Sequence, residues 1–174
     1  MKTVVLGEPP AALSSLISQR QRLGQNTHDE IWDGEYHMAP AANGRHGEVQ
    51  ALLTAFFFPH ALQAGLKTTV EFNLGDTNNF RVPDIGIHRQ TPHQTWFATA
   101  ALVCEVRSPD DESWQKFDFY FDAGVEEVVV FDLDDDNIHW FARTANEFVP
   151  VKASELLGVT VADVAAFVTT HTTP

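Results

Sequence analysis

The sequence predicts an α/β fold, a mixed sheet flanked by helices in the core order α-β-β-β-α-β. Three observations point there. Apolar positions recur at helical spacing between Arg45 and Phe58. Three strand-like segments follow at Lys67–Leu74, Arg81–His88 and Ala101–Arg107. An aromatic-rich helix from about Asp111 to Ala123 then feeds the near-continuous apolar run Val125–Asp132. A helix joining two strands of one sheet implies a βαβ crossover between the strand of Glu105 and that of Val130.

Taken in order, Ala11 to Leu23 reads as a short amphipathic helix, with Leu13, Leu16, Ile17 and Leu23 on roughly one side. Glu30 to Met38 reads as an extended strand or a hairpin arm, with Asp33-Gly34 as its turn signal. Asn43-Gly44 punctuates the chain before the first core helix, whose stripe is Val49, Leu52, Leu53, Phe56 and Phe57. Lys67–Leu74 alternates as a strand does, and Asn73–Asn79 reads as a tight connection. On Arg81–His88 the two-residue period puts Val82, Asp84, Gly86 and His88 on one face. On Ala101–Arg107 it puts Leu102, Cys104 and Val106 on an apolar face and Glu105 with Arg107 on the other. Pro109 ends that strand, since proline cannot donate to a ladder. Trp114, Phe117, Tyr120 and Phe121 form the packing face of the next helix. Ile138–Ala142 and Phe148–Val151 form an edge hairpin, Val161–Val168 a final short helix, and Thr169–Pro174 a frayed tail.

The whole chain, 1–174, reads as a single domain with its core at about 31–143, flanked by an N-terminal helix and a C-terminal hairpin and helix. An apolar content of 44% is ample for a core and excludes wholesale disorder. Cys104 is the chain's single cysteine, which precludes an internal disulfide and suits a reducing compartment. The apolar run near Met1 is too short for a signal peptide, and no segment is long enough to span a bilayer, so a cytoplasmic protein with no membrane partner is expected. The net charge of −13 argues against a generic nucleic-acid coat. Its distribution softens that objection: residues 1–109 hold eight bases and ten acids, residues 110–174 three bases and fourteen acids.

Asp84 and Glu105 each stand as a lone acid in an apolar strand, which is costly unless the acid is paired, hydrogen-bonded or metal-bound. Together they are candidates for one divalent-cation site. Magnesium takes oxygen ligands and keeps several waters, so two carboxylates and a backbone carbonyl suffice. Val106 can add that carbonyl, and Glu48 on the first core helix is a candidate third acid. Lys116 can orient or deprotonate an attacking water, or stabilise a pentavalent phosphate. Each residue also has a plainer role. Pro83-Asp84 occurs in ordinary turns, Glu105 can pair with Arg107, Glu48 favours a helix dipole, and Lys116 can snorkel to solvent. His46 and His88 are the histidines expected nearest the site, both with hydrogen-bonding roles. Other site patterns fail. A single cysteine cannot complete a zinc deaminase's ligand set, there is no phosphate-binding glycine loop, and Cys104 faces the apolar side without a base.

The ordered motifs Pro83-Asp84, Glu105-Val106-Arg107-Ser108-Pro109, Lys116 with Phe119-Tyr120, and Gly124-Val125-Glu126-Glu127 resemble the PD-(D/E)XK nuclease superfamily, and within it the Uma-two-type restriction endonucleases. Asp33-Gly34-Glu35, Met38-Ala39-Pro40 and His46 at the helix start add to the likeness, which spans roughly Ile31 to Arg143. The resemblance implies a restriction-endonuclease-like fold and a Mg2+- or Mn2+-dependent endonuclease acting on DNA. Asp84 and Glu105 would be ligands and Lys116 a lysine migrated onto the helix. Arg107 stands where such enzymes often hold the strand lysine; it and His46 would support or bind phosphate, but arginine stays protonated and is a poor base. The competing reading is a catalytically inactive nuclease fold serving as a binding or assembly module. The aromatic-rich helices leave room for a homodimer that addresses two strands.

Overall fold

The computed structural model describes residues 3–5, 11–39, 41–91, 93–109 and 111–172. Its strands in chain order are β1 (Thr3–Val5), β2 (Glu30–Trp32), β3 (Glu35–Met38), β4 (Lys67–Val70), β5 (Asn73–Asp76), β6 (Asn79–Arg81), β7 (Ile85–His88), β8 (Trp96–Phe97), β9 (Leu102–Arg107), β10 (Glu127–Asp132), β11 (Asn137–Arg143) and β12 (Phe148–Pro150). The helices are α1 (Ala11–Arg22), α2 (Gly44–Gln63), α3 (Phe117–Asp122) and α4 (Val161–Thr172). A 3-10 turn over Ser113–Lys116 leads into α3. Pro40 of the motifs above, Asp110 next to Pro109, and the last two residues of the expected tail lie outside the described residues.

Among the described residues the strands form two six-stranded sheets. The central one runs β12-β11-β10-β9-β7-β4, the other β1-β3-β2-β6-β5-β8. β9 lies parallel to β10 and antiparallel to β7, so the expected crossover through α3 is present within a mixed sheet. Alternation along β9 sorts the two sides of that sheet. Leu102, Cys104 and Val106 pack with Val49, Leu53 and Phe57 of α2 and with Val164 and Val168 of α4. Val103 faces the other way, packing with Tyr120 of α3 and with Phe72, Leu74 and Phe97 around the second sheet. Each fully buried aliphatic or aromatic side chain contributes about 1.5–3 kcal/mol.

Two expected strands are each divided between the sheets. Lys67–Leu74 breaks at Glu71, whose φ of 50° turns the chain out of the central sheet at β4 and into the second at β5. Arg81–His88 breaks at Val82-Pro83-Asp84: β6 pairs in the second sheet, β7 in the central one, and proline has no N–H for either ladder. Asp84 therefore sits at the entry to β7 rather than inside a strand. The expected Asn73–Asn79 connection is a hairpin, β5 to β6, with Asp76 Oδ1 accepting from the amides of Asn78 and Asn79. The helix expected at Asp111–Ala123 is shorter, a 3-10 turn followed by α3.

α2 runs past Phe58 through Pro59 to Gln63 because burial of Phe56, Phe57 and Ala61 on both sides of the proline outweighs its missing hydrogen bond. The expected tail is helical as far as Thr172, where Thr170 and Thr172 hydroxyls donate to carbonyls one turn back. None of the residues of α1 is buried; Arg20 fastens its end to Asp29 at 2.7 and 3.1 Å. No helix among the described residues is long and apolar enough to cross a membrane.

His88 lies inside the fold rather than at a site. It packs on Phe72 and Phe97, with Nε2 2.8 Å from Thr69 Oγ1, and burial pushes its pKa down to about 4. The unfolded chain protonates this imidazole near 6.5, so stability is full above 6.5 and lost as pH falls towards 4. The expected loss is about 3 kcal/mol. Urea unfolding at pH 7 and at pH 4.5 checks this: His88→Phe should flatten the dependence, and an unchanged slope would contradict it.

Candidate active site

Antiparallel pairing brings the two strand acids together. β7 and β9 are registered with Ile85 opposite Cys104, so one further step along the ladder sets Asp84 opposite Glu105. Asp84 Oδ2 accepts from the Val106 amide at 2.7 Å, and Oδ1 lies 3.0 Å from His46 Nε2. Its carbonyl accepts from Gln50 Nε2 at 3.1 Å and from the Glu71 amide at 3.1 Å. His46 and Gln50 reach it together because residues four apart share a helix face. The Asn43 side chain caps the start of α2 by accepting from the His46 amide at 2.9 Å. His46 Nδ1 is 3.3 Å from Ser108 Oγ. Burial opposes charge on the imidazole, but its bond to Asp84 and that acid's charge outweigh burial and raise its pKa.

Glu105 is held from the helix side. Its Oε1 accepts from Lys116 Nζ at 3.0 Å and from the Tyr120 hydroxyl. Lys116 and Tyr120 are again four residues apart and project together. The same ammonium donates to Glu30 Oε1 at 2.9 Å. Glu30 in turn accepts from the Val82 amide at 2.8 Å and from Trp32 Nε1 at 2.6 Å. Glu30 and Glu105 are each 3% exposed and Lys116 4%, so this lysine does not snorkel to solvent. Burial pushes the Glu105 carboxyl up to about 7, against the pull of Lys116 and with the push of Asp84 and Glu30. Burial alone would depress Lys116, but Glu105 and Glu30 outweigh it and keep the ammonium charged. Burial, with the neighbouring carboxylates, also holds the Tyr120 hydroxyl protonated.

These groups open onto a cleft of about 240 Å³. Its described lining carries five carboxylates, Glu30, Glu71, Asp84, Glu105 and Asp111, against the single ammonium of Lys116. Asp84, Glu105, Lys116 and His46 are thus brought together. Val106 joins them through its main chain: within a strand the N–H and C=O of one residue point to the same neighbour, and its N–H meets Asp84. Glu48 is not brought in. It is exposed and outside the lining, because two residues from both His46 and Gln50 it falls on the far side of α2. Arg107 shares the face of Glu105 but is also outside the lining. The β9–β10 register sets it opposite Asp132, and its Nη1 donates to Asp132 at 2.7 and 2.8 Å and to Asp134 at 2.9 Å. That arrangement also replaces the expected Glu105–Arg107 pair. Cys104 is buried among apolar side chains, and burial raises its thiol pKa.

Sequence reasoning missed Glu30, Gln50 and the role of Tyr120. The Lys116/Tyr120 spacing was a usable signal for the last; nothing around Glu30 marks it as inward-facing. The donor set suits a hard divalent cation. Glu105 Oε2 takes no hydrogen bond among the described residues and is not sealed from the cleft, and Asp84 supplies a second carboxylate beside it. Among the described residues, three potential ligands also cluster at Asp132, Asp135 and His139, outside this cleft and with Asp132 already on Arg107.

Over residues 17–167 the chain matches the Uma2 family, whose description is "Putative restriction endonuclease". No curated protein matches it. Among solved structures it is similar to "a putative nuclease belonging to DUF820" from Anabaena variabilis, at 15% identity and a TM-score of 0.66, covering 80% of this chain and 90% of that one. At that identity the likeness establishes a shared nuclease-like fold. With the family match running from α1 into α4, the chain belongs to the Uma2 family.

Proposed function

We propose that this protein is a divalent-metal-dependent endonuclease that hydrolyses phosphodiester bonds in DNA. The observation that carries the reading is the convergence of Asp84 and Glu105 in one cleft beside Lys116, with the Val106 amide donating to Asp84. Asp84, Glu105 through Oε2, and the Val106 carbonyl would hold Mg2+ or Mn2+. The bound cation would neutralise phosphate charge, polarise the scissile phosphate and acidify water.

The chain's own groups have definable tasks. Lys116 is a charged donor and not a base: two of its three N–H bonds go to Glu105 and Glu30, leaving one for a phosphate oxygen or the attacking water. His46 and the Val106 amide fix both oxygens of Asp84. Tyr120 fixes Glu105 from the opposite side to the strand. Five carboxylates against one ammonium would repel a polyanion, which is why nucleic acid would enter only with cations. A homodimer, with two such clefts, would address both strands of a duplex. The location we propose is the cytoplasm.

Incubating plasmid DNA with the protein in Mg2+ or Mn2+ tests this. Nicking or linearisation is expected, with complete loss in excess EDTA and recovery when the metal is restored. Folded, metal-loaded protein inert on DNA and RNA alike would overturn it in favour of a non-catalytic binding module.

A further inference from the structure

The Glu30 carboxylate has more partners than a bystander needs. Its Oε1 receives Lys116 at 2.9 Å and the Val82 amide at 2.8 Å, while Oε2 receives Trp32 at 2.6 Å. Val82 lies two residues before Asp84, on the connector that carries that acid into the cleft. Lys116 lies 3.0 Å from Glu105, the other acid. Glu30 therefore touches the supports of both. It comes from β2, in the second sheet, whereas Glu105 belongs to the central sheet.

We propose that Glu30 is a positioning residue for the cation site, sharing the Lys116 ammonium with Glu105 so that Glu105 is not neutralised inside the protein and keeps Oε2 for a divalent cation. This rests on the reading of Asp84 and Glu105 as metal ligands. The hold on the ammonium has to outweigh the push of Glu30's own charge on the Glu105 carboxyl. Without the charge of Glu30, the full ammonium faces Glu105 alone and draws its carboxylate inward. That inward pull opposes a dication. Arg81, also buried nearby, does not take over the role of Lys116. Its Nη1 donates to the carbonyls of Ile31 and Phe80 and to Asn79 Oδ1.

Calorimetric titration of Mn2+ alone into the full chain tests the proposal, with circular dichroism as the folding control. Glu30→Gln retains an oxygen for the Val82 amide, and half-buried Trp32 can turn its N–H to water. It should weaken Mn2+ binding by about tenfold or more. Lys116→Met removes the shared ammonium and, because Lys116 also holds Glu105 ionised, serves only as the reference for the double variant. The double variant Glu30→Gln/Lys116→Met should return to within about threefold of Lys116→Met, because Glu30 acts through the lysine.

Unchanged binding in Glu30→Gln overturns the proposal. So does a loss that the second substitution does not restore, since packing by Glu30 would be lost in both variants. Should Glu30→Gln fail to fold, Glu30→Asp, which keeps the charge but shortens its reach to Lys116, decides alone: unchanged Mn2+ binding overturns the proposal. Wild type that binds no Mn2+ refutes the metal reading itself, and the inference with it. Wild type that binds while Glu30→Gln is unaffected refutes only the inference.

Discussion

Replacing Asp84 by Asn should abolish metal-dependent DNA cleavage, by at least about a thousandfold, or roughly 4 kcal/mol of barrier. The fold should survive, because asparagine can still accept from the Val106 amide and donate towards His46. The melting temperature should reflect a change of less than about 1 kcal/mol. What disappears is one anionic oxygen donor beside Glu105, and with it the hold on a hard dication. Cleavage rates in Mn2+, measured beside thermal melts, check both halves. Activity within tenfold of wild type would remove Asp84 from the reaction.

Glu105→Ala should be the most damaging substitution for stability. It strips the buried Lys116 ammonium of one partner and the Tyr120 hydroxyl of its acceptor, among side chains with almost no solvent contact. Breaking one side of a buried charge pair costs about 3–5 kcal/mol. Glu105→Gln keeps the volume and an acceptor oxygen and should cost only about 1–3 kcal/mol, yet lose metal binding equally. Urea denaturation of the two variants separates folding from ligation. A loss below about 1 kcal/mol for the alanine variant would contradict the tightly held network described above.

The parts legible in the sequence were those governed by local rules. The Asp33-Gly34 turn, the two faces of β9 and the crossover into β10 follow from turn chemistry, a period of two and the helix between two strands of one sheet. Meeting of Asp84 and Glu105 in one cleft was legible as two lone acids on neighbouring segments, although the break before β7 was not. The second sheet was not legible, because the breaks at Glu71 and Pro83 show only once each half finds a different partner strand. Glu30 escaped notice for the same reason: an acid in a three-residue strand reads as exposed until Lys116, 86 residues later, meets it. Arg107 was placed on the correct face, but its destination depended on Asp132 across the sheet. Glu48 failed by helix phase, since the face that meets Asp84 is set by His46 and Gln50.

Calorimetric titration of Mg2+ and Mn2+ into wild type and Asp84→Asn tests the central claim most directly. One site is expected in the wild type, lost in the variant while its fold persists. A folded wild type that binds neither ion would contradict the account. Binding indifferent to Asp84 would contradict it equally, and would move the cation to another cluster such as Asp132, Asp135 and His139.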